Sequence, residues 1–342
     1  MAINTGLASL SEGLWTAATG TYMLAVVAYT GEYAFGRNGR IAGTAAAVKH
    51  VVNAGATVKQ PALVGAGAPI DPPPAPAGPY GAGIVTKRDS DAGRRWGRIA
   101  VLLTVLGALL HLACVAIRGI AVDRVPWGNM YEFTLVVGLV ATLAWLITLN
   151  RMPQLRYLGL FVMMPVLVVM FLAGTLYTKA SKLVPALQSY WLAIHVSSVA
   201  VAEGILLTSA ALTAMYLVRI RFEKGNLRRL TTLGARLPSA ASLDKAAYRT
   251  VAFAFPIYTA GVIFGAIWAE AAWGRYWGWD PKETWAFIAW VIYAMYLHAR
   301  ATAGWRGRQA AFINLLGFGA MTFNFFVVNI VISGLHSYAG LN

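Results

Sequence analysis

The stretch Trp273-Gly-Arg-Tyr-Trp-Gly-Trp-Asp-Pro-Lys-Glu-Thr-Trp285 sets four tryptophans, a tyrosine and four charged side chains between two long apolar runs. Trp and Tyr gather at membrane interfaces as anchoring belts, but a belt needs only one or two aromatics per helix end. It has no use for Asp280, Pro281, Lys282 and Glu283 in a row. A surface of aromatic faces with a few fixed charges suits a large planar ligand that itself carries charge. Rings stack on Trp273, Tyr276, Trp277, Trp279 and Trp285, while Arg275 or Lys282 pairs with carboxylates. A porphyrin fits that description, and its iron would take ligands from among the five histidines, His50, His111, His195, His298 and His336.

The elements that must position these residues are membrane helices. The chain is 58% hydrophobic and 12% charged, with a mean hydropathy of +0.60, far from a soluble domain. Apolar runs long enough to cross about 30 Å of hydrocarbon fall at 14–35, 97–118, 128–149, 155–177, 189–218, 249–272, 284–302 and 310–334. The predicted fold is therefore all-α and polytopic, with about eight transmembrane helices. Residues 1–13 carry Glu12 and no Lys or Arg, unlike the basic start of a cleaved signal, so 1–35 is expected to stay as the first helix. Residues 36–96, rich in Ala, Gly and Pro, read as a disordered cytoplasmic linker, with His50 a solvated histidine. The remainder, 97–342, is a seven-helix core.

The net charge of +15 resides mainly in short loops, the pattern of membrane topology rather than of nucleic-acid binding. Of 28 lysines and arginines, 22 fall on one side of alternate connections, which makes that side cytoplasmic and puts both termini and the 273–285 loop outside. The single cysteine, Cys114, excludes dithiol redox chemistry and reads as a small apolar filler. No phosphate-binding glycine loop or nucleophile triad is present.

The tryptophan-rich stretch resembles the WWD signature of the haem-handling proteins of cytochrome c assembly. The continuation to Tyr296-Leu-His298-Ala-Arg300 resembles the CcsA (ResC) branch of system II. Asn129-Met-Tyr-Glu132, Gln188-Ser-Tyr-Trp-Leu-Ala-Ile-His195-Val196 and Gly334-Leu-His336-Ser-Tyr338 match the same branch in the same order. The resemblance runs from about residue 97 to the end.

Helix rise places His195 roughly 10 Å or less below the outer surface, where His336 also falls, just past the last apolar run. Two neutral imidazoles from different helices are what a six-coordinate haem iron requires. His298 lies roughly 22 Å from the outer face, and the resemblance implies that it ligates a second, inner haem with a histidine of a companion subunit. His111 falls about 12 Å from the depth of His298 and is left between packing and a secondary haem contact. Among the acids, Glu132 is expected to hydrogen-bond the loop or a histidine, Glu203 reads as polar glue or a functional group, and Glu270 precedes the loop.

What the resemblance implies is haem b moved outward and presented to an apocytochrome c, whose CxxCH thiols add to the vinyl groups as thioethers. His195, His336 and Asp280 are the residues assigned to the chemistry; His195, His336 and His298 ligate iron. The ring is expected on Trp273, Tyr276, Trp277, Trp279 and Trp285, with Arg275 and Lys282 for the propionates and Glu132 in support. Implied partners are a CcsB/ResB-type membrane subunit, the apocytochrome and a thioredoxin-like thiol reductant. The implied location is the bacterial plasma membrane, with the haem-presenting site on the extracytoplasmic side, or the thylakoid membrane if the chain is plastid-encoded. A haem transporter serving a separate synthase and a transmembrane electron carrier remain as alternatives.

Overall fold

The computed structural model describes residues 3–35, 91–183, 187–225, 231–302 and 304–336. Most of the 36–96 segment and the Ser337-Tyr338 end of the last motif lie outside them. The described chain is all-helical: α1 (Thr5–Phe35), α2 (Asp91–Val122), α3 (Met130–Arg151), a 3-10 turn (Pro153–Leu158) running into α4 (Gly159–Thr175), α5 (Tyr190–Glu223), the short α6 (Thr231–Arg236), α7 (Ala240–Trp273), α8 (Pro281–Ala301) and α9 (Arg308–Ile330).

Six of these helices are long and apolar enough to cross a membrane, namely α2, α3, α4 with its preceding turn, α5, α7 and α9. The chain is thus a polytopic helical membrane protein. Helices α1 and α8 have 31 and 21 residues but carry more polar side chains. Helix starts fall earlier than the apolar runs suggest: α1 begins at Thr5, α2 at Asp91 and α7 at Ala240. Polar residues extend the ordered turns past the hydrocarbon limit, as where the Ser239 hydroxyl accepts from the Ser242 N–H to cap α7.

Glycines set the closest approaches. A Cβ on Gly204 of α5 would stand 2.8 Å from the Val137 carbonyl oxygen of α3, and one on Gly107 of α2 would stand 2.5 Å from the Tyr22 ring of α1. Small residues are the usual means by which membrane helices pack backbone to backbone. Two large apolar clusters result, with three smaller ones beside them among the described residues. One joins α1 to α5 around Trp145, Tyr131, Leu158 and Met163. The other joins α5, α7, α8 and α9 around Tyr258, Tyr293, Tyr296 and Met321.

At one end of the bundle the fully buried Arg118 donates to Glu132 at 3.1 Å, and Arg124 reaches the same carboxylate at 2.7 Å. The two guanidiniums also donate to the Thr178 and Ser181 carbonyls, at 2.6 and 3.2 Å. Two connections are thereby tied to the start of α3. His111 is buried beside α1, with Nδ1 3.3 Å from the Tyr22 hydroxyl.

Candidate functional site

The loop 274–280 is held by a reciprocal cap. Gly274, the left-handed residue that ends α7 (φ 70°), donates its N–H to the Glu270 carbonyl. Asp280 caps α8, and Glu283 one turn later accepts from the Asp280 and Gly278 N–H groups at 3.1 and 2.8 Å. Arg275 is also held by Glu283, at 3.0 Å. The sequence suits this: an Asp before Pro and a Glu three residues on is a helix-start signature.

The Asp280 carboxylate does more than cap. Its Oδ1 accepts the Leu335 N–H at 2.8 Å, and Oδ2 lies 2.8 Å from His336 Nδ1. A side chain on Gly334 would put its Cβ 2.7 Å from that Oδ1, so glycine is needed there. Burial pushes the Asp280 carboxyl up, but the His336 and Leu335 hydrogen bonds outweigh it and hold it at about 2. Burial lowers the His336 pKa and prevails over the raising influence of Asp280, so the imidazole is neutral near pH 7.

His195, six residues into α5, is placed by two glycines of α7. Its Nδ1 lies 2.7 Å from the Gly261 carbonyl. A Cβ on Gly265 would fall 2.7 Å from its Cε1. A carbonyl only accepts, so Nδ1 carries the proton and Nε2 keeps its lone pair. The Asp280 contact assigns His336 the same tautomer. Both histidines thus have an orienting partner on Nδ1 and a ligand-competent Nε2.

The two imidazoles meet across Trp268. His195 stacks on it at 6.0 Å between centroids and 10° between planes, and His336 meets it edge-on at 5.5 Å. Trp273 contacts His336 at 4.8 Å. His195, His336, Trp268, Tyr258, Lys282 and Asn324 line both of two adjoining cavities of about 140 and 80 Å³. Asn129 of the first matched motif and Trp127 just before it wall one side of the larger, and Tyr276 and Trp277 wall the smaller.

The sequence-predicted residues therefore divide. His195, His336, Asp280, Trp273, Tyr276, Trp277 and Lys282 converge, the Lys282 Nζ donating to Asn329 Oδ1 at 2.6 Å. Trp279 is 65% exposed, in a left-handed backbone (φ 59°), and perpendicular to Trp277. Trp285 turns into the bundle onto Phe323 at 4.1 Å. The tryptophans thus form a wall, an outer rim and a core contact, not one flat platform. Arg275 is engaged by Glu283, which leaves Lys282 as the cation facing the cavities. Glu132 accepts from Arg118, Arg124 and the Gly128 N–H rather than from a histidine. His298 stands on α8 about 25 Å from Pro281 along the helix and is exposed on the bundle surface. Trp268, Gly261 and Gly265 were missed. The Gly261-Val-Ile-Phe-Gly265 spacing is the available signal, a small-residue face for close helix approach, whereas Trp268 reads as one more apolar residue in its run.

Fold and site together define a polytopic helical membrane protein with an oriented pair of histidines in a tryptophan-walled cavity at one end of the bundle. The Cytochrome C assembly protein family matches residues 127–336, and the chain belongs to that family. Among curated proteins it is 36% identical over 250 residues to cytochrome c biogenesis protein CcsA of Heterosigma akashiwo, covering 64% of this chain and 77% of that one. It is 34% identical over 252 residues to the CcsA protein of Chlamydomonas reinhardtii, covering 71% and 70%. To that of Parasynechococcus marenigrum it is 34% identical over 262 residues, covering 70% and 86%.

Proposed function

We propose that this chain acts in cytochrome c maturation by holding haem between His195 and His336 on the outer side of the membrane and presenting it to an apocytochrome c. One observation carries the reading: two histidines more than a hundred residues apart in the matched region converge on shared cavities, each with Nδ1 engaged and Nε2 left as a ligand.

The donor set fits a haem iron, and Trp268, Tyr258 and Val199 offer apolar walls to the ring. The cavities are smaller than the roughly 300 Å³ lower limit of ligand pockets, so a whole porphyrin requires the walls to part or its edge to stand outside, next to the exposed Tyr276 and Trp279. Lys282 supplies a charge for a propionate. His195 and His336 would hold the iron through their Nε2 atoms, and a haem so held would offer its vinyl groups to the CxxCH cysteines, the sulfur of each S–H adding to one vinyl carbon and its proton to the other. The chain's contribution is orientation and exclusion of water.

In this reading eight helices cross the membrane with the 273–285 loop outward, in a system II complex with a CcsB/ResB-type subunit. The test is reconstitution with that subunit, haem and a CxxCH apocytochrome. Covalent haem should form with the native chain and be lost in His195→Ala and His336→Ala. Free imidazole should restore haem occupancy to each. Unchanged haem content in both variants would defeat the reading.

A further inference from the structure

At the opposite end of the bundle from the histidine cavities, a groove of about 620 Å³ lies between α2 and α3 and the turn that follows. Its length is apolar, lined by Val101, Leu102, Val105 and Leu146, and its end carries Arg98 and Arg156. Leu102 is 68% exposed and Val105 39%, so the apolar part opens sideways into the space that lipid chains fill.

Both arginines line the same end of the groove, and local packing fixes Arg156 there. Glu32 of α1 accepts from Arg156 Nε at 2.6 Å, and this pair lies over Gly97, where a Cβ would run into Glu32 Oε1 and Arg156 Nε. The Arg156 side chain stays 29% exposed at the groove end while its Nε donates to Glu32. Arg94, Arg95 and Arg151 lie close in sequence to the groove and outnumber the nearby acids, Glu32 and Asp91, so this end is net basic.

A cation pair at the polar end of a laterally open apolar groove matches one kind of molecule: a phosphate joined to an acyl chain. We infer that this groove binds an anionic phospholipid, its phosphate between Arg98 and Arg156 and one chain along Leu102, Val105 and Leu146. A guanidinium pairs with phosphate bidentately, and a basic juxtamembrane residue contributes about 1 kcal/mol toward an anionic lipid, or about five-fold in affinity. The assignment rests on the membrane-spanning bundle and not on haem binding.

Native mass spectrometry of the delipidated full chain in neutral detergent tests it with phosphatidylglycerol and phosphatidylcholine. Phosphatidylglycerol should bind about five-fold more tightly. Arg98→Gln, an exposed position, should abolish the preference and Arg98→Lys should retain part of it. Leu102→Trp should weaken both lipids by filling the chain path. Millimolar inorganic phosphate and haemin should leave the lipid bound. Equal retention of the two lipids, an unchanged preference in Arg98→Gln, or displacement by phosphate or haemin would each overturn the assignment.

Discussion

His336 Nδ1 lies 2.8 Å from an oxygen of Asp280, the residue that also caps α8. One carboxylate thereby couples the start of a helix to the orientation of an imidazole more than fifty residues later. The two roles separate by substitution. Asn caps helices as well as Asp, so Asp280→Asn should keep the α8 cap and lose only the stability that the ionised carboxylate draws from His336 and Leu335. It should lower haem affinity by about 10- to 100-fold, the usual effect of losing a ligand's orienting partner. Asp280→Ala should do the same and also cost about 1 kcal/mol of stability through the lost cap. Haem titration and thermal unfolding of the two variants check this; equal haem affinity in native chain and Asp280→Asn would refute the coupling.

The pH dependence follows from the same pair. Burial lowers the pKa of His336 from its ordinary 6.5, while the hydrogen bond and charge of Asp280 oppose the shift. Unfolded chains therefore take up this proton first as pH falls. Stability associated with neutral His336 is whole above about 6.5 and declines as pH drops from there toward the lower folded value. The Asp280 contribution is present above the ordinary carboxylate value and lost only as pH falls toward about 2. Nitrogen-15 histidine spectra of the haem-free protein at pH 6 should show His336 more neutral than the same histidine in the unfolded chain. Because Asp280 raises the His336 pKa, Asp280→Asn should make it more so. A protonated His336 at pH 7 would contradict the geometry.

Gly265 gives a steric test. A Cβ there would sit 2.7 Å from His195 Cε1 and 2.8 Å from Nδ1, inside normal contact, and the ring is fixed by Gly261 on one side and Trp268 on the other. Gly265→Ala should cost about 1–3 kcal/mol as an overpacked contact and displace His195 enough to lower haem affinity. Gly274→Ala, at a left-handed position with open space around it, should destabilise the α7 end without altering the haem spectrum. Equal spectra for native chain and Gly265→Ala would show that the ring has room to move.

Much of this was legible in the sequence. Apolar runs located the long helices because hydrocarbon crossing demands them, and the places of His195 near the start of one run and His336 just past the end of another pointed to the same end of the bundle. The roles within the tryptophan loop were not legible. Trp285 points inward because it follows the cap by more than one turn on a helix whose orientation is set by packing on α9. Arg275 is engaged because Glu283 both closes the cap and accepts its charge. Trp268 was hidden because an aromatic within an apolar run has no local mark that distinguishes a cavity wall from a lipid contact.

Glu132 illustrates the same limit and yields a prediction. Its place in a motif with Asn129 suggested a hydrogen bond to the tryptophan loop or to a histidine, whereas the carboxylate is shared by Arg118 and Arg124 and by the Gly128 N–H. Removing one member of a buried ionic cluster leaves uncompensated charge, typically worth about 3–5 kcal/mol. Glu132→Gln should lower stability by that order, and Arg124→Gln by less, since Arg124 is partly exposed. Where Glu132→Gln protein is recovered, its haem spectrum should match the native one. A changed axial-ligand spectrum in folded protein would restore the direct role.

His298 carries the remaining prediction, which rests on the proposed haem-handling role. It lies on α8 with Phe287, Val291 and Met295, spaced at four, four and three residues and each more than 40% exposed where the three apolar side chains are concerned. That spacing is one helix face. An imidazole on an outward face within the hydrocarbon is costly without a partner, and the face around it is apolar enough to take a neighbouring helix. A companion membrane subunit with its own histidine at that depth would complete an inner haem. His298→Ala should then lower total haem in the complex while leaving the His195/His336 haem in place, and free imidazole should restore the loss through the vacated axial position. Purified alone, the chain should hold inner haem weakly, with a spectrum that imidazole changes; co-expression with the companion should make it resistant. A stable two-histidine spectrum from the chain alone that survives mutation of both His195 and His336 would place the second ligand within this chain. His111 is then the candidate to examine, yet it is buried against Tyr22 of α1, so that result would require α1 and α2 to rearrange.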